Sequence, residues 1–176
     1  MPNDALFPHL AGFDLHEWIE KHPATARTKR FVWRDSDFWA FLVSGPDERT
    51  EFHRNPGDEI FFQLQGETRL HLLGTDGRRK IEMLRPRQFF LVPAGVPHSP
   101  RRDASAWAFI VTPSRAEGAK ESWSWHCEEC DACLHEVSMS DRKADVPVDV
   151  VAQAAQSLRE DETRRTCPRC GHCSRV

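Results

Sequence analysis

Three residues of this sequence, His53, Glu59 and His98, have the types and the spacing of a catalytic metal site. Glu59 follows His53 by six positions, and His98 ends the proline- and glycine-containing turn at residues 93–98. Two imidazoles and one carboxylate occupy one face of an octahedral ion and leave its other face open, which suits Fe(II) and oxygen chemistry. The sequence therefore predicts an open three-ligand metal site.

Two arginines are placed to act beside that metal. Arg49 lies four positions before His53, and Arg102 lies four positions after His98. Side chains an even number of positions apart on a strand share a face, so both guanidinium groups are expected to face the metal. Because the planar guanidinium matches a carboxylate through two parallel hydrogen bonds, the pattern predicts a substrate that carries a carboxylate.

A second metal site is predicted from cysteines, all of which follow residue 126. Two Cys-x-x-Cys pairs are separated by 36 residues and consist of Cys127, Cys130, Cys167 and Cys170. Clustering at one end argues against a disulfide framework. Four thiolates give a closed tetrahedral site for Zn or a rubredoxin-type Fe, which is structural because no position is open to substrate. Cys133 and Cys173 leave an iron–sulfur cluster as an alternative, although we expect both to lie outside the metal site.

The elements that must position these side chains are short strands. Apolar or alternating runs separated by Gly and Pro turns occur at residues 38–43, 59–64, 68–73, 80–84, 89–92 and 107–111. Such spacing without intervening helices favours an antiparallel sandwich or small barrel. A helix is predicted before the strands, at residues 14–22 with Asp14 as its N-cap. The tail is predicted to hold a strand at 135–139 and a helix at 148–159, capped by Asp145 or Asp149.

Composition limits the class of protein. The chain has 176 residues and a net charge of −3, which argues against a strongly basic nucleic-acid-binding protein. No apolar run approaches the roughly 20 residues of a membrane span, and the first residues do not resemble a signal peptide, so we expect a cytoplasmic protein. The predicted division is a barrel with its N-terminal helix at residues 1–112, a linker at 113–125 and a metal-binding tail at 126–176.

The order of the metal ligands resembles that of a cupin, and a wider resemblance covers about residues 13 to 175. Segments 32–38, 45–46, 49–53, 59–64 and 97–100 are similar to the 3-hydroxyanthranilate 3,4-dioxygenase family, whose bacterial branch carries a rubredoxin-like C-terminal metal site. The resemblance implies a mainly β cupin, a double-stranded β-helix or jelly-roll barrel, with a small rubredoxin-like subdomain. It also implies an Fe(II)-dependent, extradiol-type ring cleavage that consumes O₂ and a small aromatic acid and yields a muconate semialdehyde. The product leads to quinolinate in tryptophan breakdown or NAD synthesis, and we expect a homodimer.

The resemblance assigns roles to the residues already singled out. His53, Glu59 and His98 match the iron ligands of the family, and Arg49 and Arg102 match the arginines that hold the substrate carboxylate.

Three further positions match the family's site but carry different residues. Thr112 stands where the family has a glutamate, Lys29 where it has an asparagine, and Glu51 where it has an aspartate. The site thereby loses a carboxylate and gains a cation, and Glu51 is the remaining candidate for a proton acceptor. We therefore expect slow turnover of 3-hydroxyanthranilate or a different, more anionic ortho-substituted phenol as the substrate.

Two alternatives remain at this stage. One is a related metal cupin dioxygenase for another aromatic acid, and the other is a non-catalytic cupin that senses a small carboxylate. The complete set of two histidines and one glutamate argues against the sensor, because a binding protein has no need of an open redox site.

Overall fold

A computed structural model describes residues 12, 14–34, 36–140 and 148–176. Within these ranges the helices are α1 (Leu15–Lys21), α2 (Val148–Glu160) and α3 (Glu162–Arg165). The strands are β1 (Lys29–Trp33), β2 (Phe38–Ser44), β3 (Phe52–Arg54), β4 (Glu59–Gln65), β5 (Thr68–Leu73), β6 (Arg79–Leu84), β7 (Phe89–Val92), β8 (His98–Arg102), β9 (Trp107–Pro113), β10 (Glu121–His126) and β11 (Cys133–Met139). None of the helices in the part of the chain described here is long and apolar enough to cross a membrane.

Two antiparallel sheets form the barrel. The five-stranded sheet has the order β1-β2-β9-β4-β7, and the six-stranded sheet has the order β11-β10-β3-β8-β5-β6. Apolar side chains from both sheets form the core between them, and the buried ones are Phe41, Phe61, Leu70, Leu84, Val92, Ala108 and Ile110. Burial of these inward-facing residues holds the sheets together. The prediction of a mainly β fold made of two packed sheets is confirmed.

All six predicted apolar runs are strands, and the predicted helices are present. Asp14 caps α1 by accepting hydrogen bonds at 2.9 Å from the backbone amides of His16 and Glu17. The candidate cap Asp145 lies outside the described residues. Four strands were not predicted, β1, β3, β8 and β10, because they are short or contain charged and polar residues that hide the alternation.

Strand β10 carries the chain from the barrel to the cysteine tail. Trp123 of β10 pairs with His53 of β3, and β11 pairs along the other edge of β10. Trp123 and Trp125 pack with Ala155 and Leu158 of α2 in a separate apolar cluster. The tail therefore packs against the sheet that holds His53, while the domain boundaries at 112 and 125 stay a prediction.

Candidate metal centre

The three predicted metal ligands meet in the barrel. His53 lies on β3, Glu59 begins β4 and His98 begins β8, and β3 pairs with β8 at His53 and His98. Their ligand atoms all lie within 4.8 Å of one another. Glu59 Oε2 is 2.7 Å from His98 Nε2 and 3.9 Å from His53 Nδ1. The fold thus brings together residues that are up to 45 positions apart in the sequence.

The chemistry of these side chains fits a metal ion. Glu59 Oε2 is buried without a hydrogen-bond partner among the described residues, although a carboxylate oxygen in such a place needs a cation or a donor. Burial raises the pKa of Glu59, but the charges of His98 and His53 and a hydrogen bond from Asn55 outweigh it, and the pKa falls to about 2. Burial lowers the pKa of His53, which favours the neutral imidazole. An anionic carboxylate and neutral imidazole are the forms that bind metals.

The ring of His98 is oriented by the backbone. Its Nδ1 lies 3.0 Å from the carbonyl oxygen of Val96, which fixes this nitrogen as the donor and leaves Nε2 bare toward Glu59. A metal-ligating histidine usually donates a hydrogen bond of this kind from the ring nitrogen that does not bind the metal.

The two predicted arginines share one buried carboxylate, that of Asp47. Arg49 Nε donates to Asp47 Oδ2 at 2.9 Å, and Arg102 Nη1 donates to the same oxygen at 3.2 Å. Arg27 Nε lies 3.3 Å from the other oxygen, Oδ1. We call Arg27, Arg49, Arg102 and Asp47 the arginine cluster. Its three cations exceed its single anion, so the cluster keeps the positive charge needed to bind a carboxylate.

The pKa values of Arg49 and Arg102 shift in opposite directions. Burial and the neighbouring charge of Arg49 lower the pKa of Arg102 to about 9. Burial also lowers the pKa of Arg49, but Asp47 and Glu51 outweigh it and the pKa is raised. The charge of Glu59 raises the pKa of both arginines, which places them within electrostatic range of the metal ligands.

The four predicted cysteines form a second group. Cys127 Sγ is 3.5 Å from Cys170 Sγ, and Cys130 Sγ is 3.5 Å from Cys167 Sγ. Burial raises the pKa of Cys127, but backbone amides of the turn and neighbouring thiols lower it to about 6, whereas burial and the neighbouring thiols raise the pKa of Cys170. Four sulfur ligand atoms within 4.8 Å of one another fit a tetrahedral metal. Cys133 and Cys173 lie outside this group.

Comparison with known proteins identifies the family. A family model described as 3-hydroxyanthranilic acid dioxygenase matches residues 9–156. The chain belongs to this family.

Curated relatives agree with the family match. Proteins named 3-hydroxyanthranilate 3,4-dioxygenase are 31% identical in Bacillus thuringiensis, over 93% of this chain and 91% of the relative. The identity is 33% in Shewanella woodyi, over 92% and 86%, and 34% in Burkholderia cenocepacia, over 90% of each chain. This dioxygenase is therefore a metal-dependent oxidoreductase, as predicted.

Two of the positions at which this dioxygenase departs from its family are buried in polar surroundings. Glu51 accepts a hydrogen bond at 3.0 Å from Arg27 Nη2, which attaches it to the arginine cluster. Thr112 is buried, and its Oγ1 accepts a hydrogen bond at 3.3 Å from Asn55 Nδ2. Asn55 occupies the place two positions after His53 where many cupins carry another histidine.

The third departing position, Lys29, is exposed. Its ammonium group lies 4.7 Å from the ring centre of Phe31 and 4.2 Å from that of Phe41. Both phenylalanines pack in or against the core between the sheets. A cation over two ring faces is held in place by them.

Sequence reasoning missed Asp47, Asn55 and Glu121. Glu121 is 1% exposed, and its Oε1 lies 3.8 Å from His53 Nε2 and in ion-pair contact with Arg115. Burial raises the pKa of Glu121, but its interaction with His53 and the charge of Arg115 lower it to about 2. Only the alternation of Glu121 with the tryptophans that follow could have indicated that this carboxylate faces inward.

Proposed function

We propose that this dioxygenase uses Fe(II) at His53, Glu59 and His98 to cleave 3-hydroxyanthranilate or a close ortho-substituted phenol carboxylate with O₂. The expected reaction is extradiol-type and gives a muconate semialdehyde. The observation that carries the proposal is an open His/Glu/His site whose Glu59 carboxylate acts electrostatically on both Arg49 and Arg102 of the arginine cluster. Fe(II), when bound, supplies the open positions and the electrons that let O₂ react with an aromatic ring.

The arginine cluster binds and orients the substrate. Arg49 and Arg102 take the substrate carboxylate, since Arg102 is buried, Arg49 is half-buried, and both are charged near neutral pH. Asp47 holds the two guanidinium groups in place before the substrate arrives, which lowers the entropy cost of binding. The hydroxyl and amino groups of the ring then face the metal.

The departures from the family tune the same site. Lys29 adds a cation beside the core phenylalanines and favours a more anionic substrate. Glu51 is the proposed acceptor of the substrate's hydroxyl proton, and Thr112 leaves space where the family has a carboxylate.

The remaining proposals concern the whole molecule. The four-cysteine group holds Zn or Fe and stabilises the tail, because four protein ligands leave no position for substrate. A homodimer, a cytoplasmic location and a role in tryptophan breakdown or NAD synthesis stay predictions from the family resemblance.

The test is O₂ uptake by the full chain loaded with Fe(II), recorded together with the ultraviolet spectrum of 3-hydroxyanthranilate. Stoichiometric uptake with loss of the aromatic absorption is the expected result. Binding of the acid without uptake, in protein shown to contain iron, would contradict the proposal and favour the sensor. Uptake with another ortho-substituted phenol alone would keep the reaction and change the substrate.

A matched pair of variants examines the lost carboxylate. Thr112→Glu is expected to raise turnover of 3-hydroxyanthranilate, because it restores a proton acceptor near the ring's amino and hydroxyl groups. Thr112→Gln introduces a side chain of nearly the same shape as glutamate but without its charge, and it should not raise turnover. Equal turnover in both variants would show that charge at position 112 does not limit the reaction.

A further inference from the structure

Two of the three metal ligands are connected by a chain of buried polar side chains. Asn55 stabilises the charged Glu59 carboxylate and donates through Nδ2 to Thr112 Oγ1 at 3.3 Å. Arg115 Nη1 donates to the same Thr112 oxygen at 3.5 Å, and its Nε contacts Glu121. The chain begins at one metal ligand and continues to strand β10 on the other side of the site.

Glu121 closes this connection at His53. Its Oε1 lies 3.8 Å from His53 Nε2, whereas His53 Nδ1 faces Glu59 at 3.9 Å. The imidazole therefore lies between two carboxylates, one that binds the metal and one behind the ring. His53 Nε2 is buried and has no hydrogen-bond partner among the residues that the structure describes.

Strand β10 also covers one face of the His53 ring. The Trp123 ring stacks on the His53 ring with 5.1 Å between the centres and 13° between the planes. Arg115 lies over the Trp39 ring of the opposite sheet at 5.0 Å, which limits the movement of the guanidinium that contacts Glu121. Strand β10 thus supplies both the stacking surface and the carboxylate that surround His53.

We propose that Glu121, held by Arg115, is a positioning residue that accepts a hydrogen bond from His53 Nε2 and so orients Nδ1 toward the metal. A carboxylate behind a ligating histidine fixes its tautomer and ring orientation and makes the ligand more basic. The inference rests on the metal site and on these contacts, not on the identity of the substrate.

Direct metal binding by Glu121 fits the geometry less well. The ligand atoms of His53, Glu59 and His98 lie within 4.8 Å of one another, and Glu121 falls outside this group among the described residues. Its Oε1 already contacts Arg115. Glu121 therefore acts through His53 rather than on the metal itself.

The test measures metal affinity, not only turnover. The full chain, with Zn kept in the four-cysteine site, is emptied at the His/Glu/His site and titrated with Co(II), whose visible absorption reports binding and ligand number. Glu121→Gln is expected to weaken Co(II) binding by about 10- to 100-fold, the usual effect of removing such a supporting group. Glu121→Asp, which keeps the charge, should recover part of the loss.

Two further variants separate positioning from general stability. Arg115→Gln should also weaken Co(II) binding, and the double variant should weaken it by clearly less than the two single effects combined, because both changes disturb one interaction. Glu136→Gln removes the same charge from an exposed position on the neighbouring strand β11 and should bind Co(II) like the unchanged protein.

Two results would overturn the proposal. Unchanged Co(II) affinity in Glu121→Gln, even with a lower melting temperature, would make Glu121 part of a structural ion pair only. A Co(II) spectrum with one ligand fewer would make Glu121 a direct ligand. Neither result depends on whether 3-hydroxyanthranilate is the substrate, so failure here is distinct from failure of the proposed function.

Discussion

The metal site in the barrel and the metal site in the tail are built in opposite ways. The barrel ligands come from three strands and meet because sheet register places them at one point. The tail ligands come as two local Cys-x-x-Cys turns, in which backbone amides lower the pKa of Cys127 and Cys167. The barrel set has three ligands and an open face, and the tail set has four ligands and none.

The ligand geometry of the two sites is determined by different parts of the structure. The tail site depends on short-range turn geometry, so its spacing alone identifies it. The barrel site depends on long-range pairing and on supporting residues such as Asp47 and Glu121, which hold the ligands and the arginines. The barrel site can therefore support chemistry, whereas the tail site is expected to stabilise the segment that packs against β10.

Removing a barrel ligand should give the largest effect on turnover. His98→Ala is expected to lower turnover by about a thousandfold or more, because a catalytic metal contributes several kcal/mol to the transition state. Metal analysis should show loss of the barrel metal only. His16→Ala on the exposed face of α1 is the control, and loss of both metals in His98→Ala would contradict independent sites.

Removing a tail ligand should affect stability more than chemistry. Cys167→Ser is expected to release the tail metal and to lower the melting temperature, because binding of a structural metal contributes directly to folding. Turnover should fall less than in His98→Ala, because the expected cause is only looser packing around Trp123. Cys173→Ser, outside the cluster, should keep both the metal and the melting temperature; equal effects of the two serine variants would break the comparison.

Changing the arginine cluster should affect substrate binding and leave both metals in place. Arg102→Gln is expected to raise KM by about 10- to 100-fold, since a hydrogen bond to a charged group contributes about 1.5–3 kcal/mol. Steady-state kinetics at saturating O₂ provides the measurement. Arg101→Gln, one position away and therefore on the other face of β8, is the control, and a KM change of the same size there would remove Arg102 from the site.

The smallest effect concerns acid stability away from both metals. Burial and the charges of Arg101, Arg79 and Arg69 lower the pKa of His71 from 6.5 to about 4. The unfolded chain therefore binds a proton that the folded chain excludes, and stability falls as the pH drops from 6.5 toward 4, by at most about 1.4 kcal/mol per pH unit. Urea unfolding of His71→Gln should show a shallower decline; an unchanged decline would assign acid sensitivity to the metal ligands instead.

Much of the site could be predicted from the sequence, because ligand type and spacing point to metals directly. His53, Glu59 and His98 were identified from their order, and the cysteines from their paired turns. Asp47 and Glu121 were not, because a carboxylate that supports another side chain has no characteristic spacing. Strands β3 and β8 were missed for a related reason, since β3 has only three residues and β8 is made of polar and charged residues with one proline, so neither shows apolar alternation.

Selective metal removal tests most directly whether the barrel metal is the catalytic one. A mild chelator is applied to the full chain, the metals bound per chain are counted, and O₂ uptake with 3-hydroxyanthranilate is measured before and after Fe(II) is returned. The barrel metal should leave first, uptake should disappear with it while the tail metal stays, and Fe(II) should restore uptake. Uptake that survives loss of the barrel metal, or that follows the tail metal, would contradict the account.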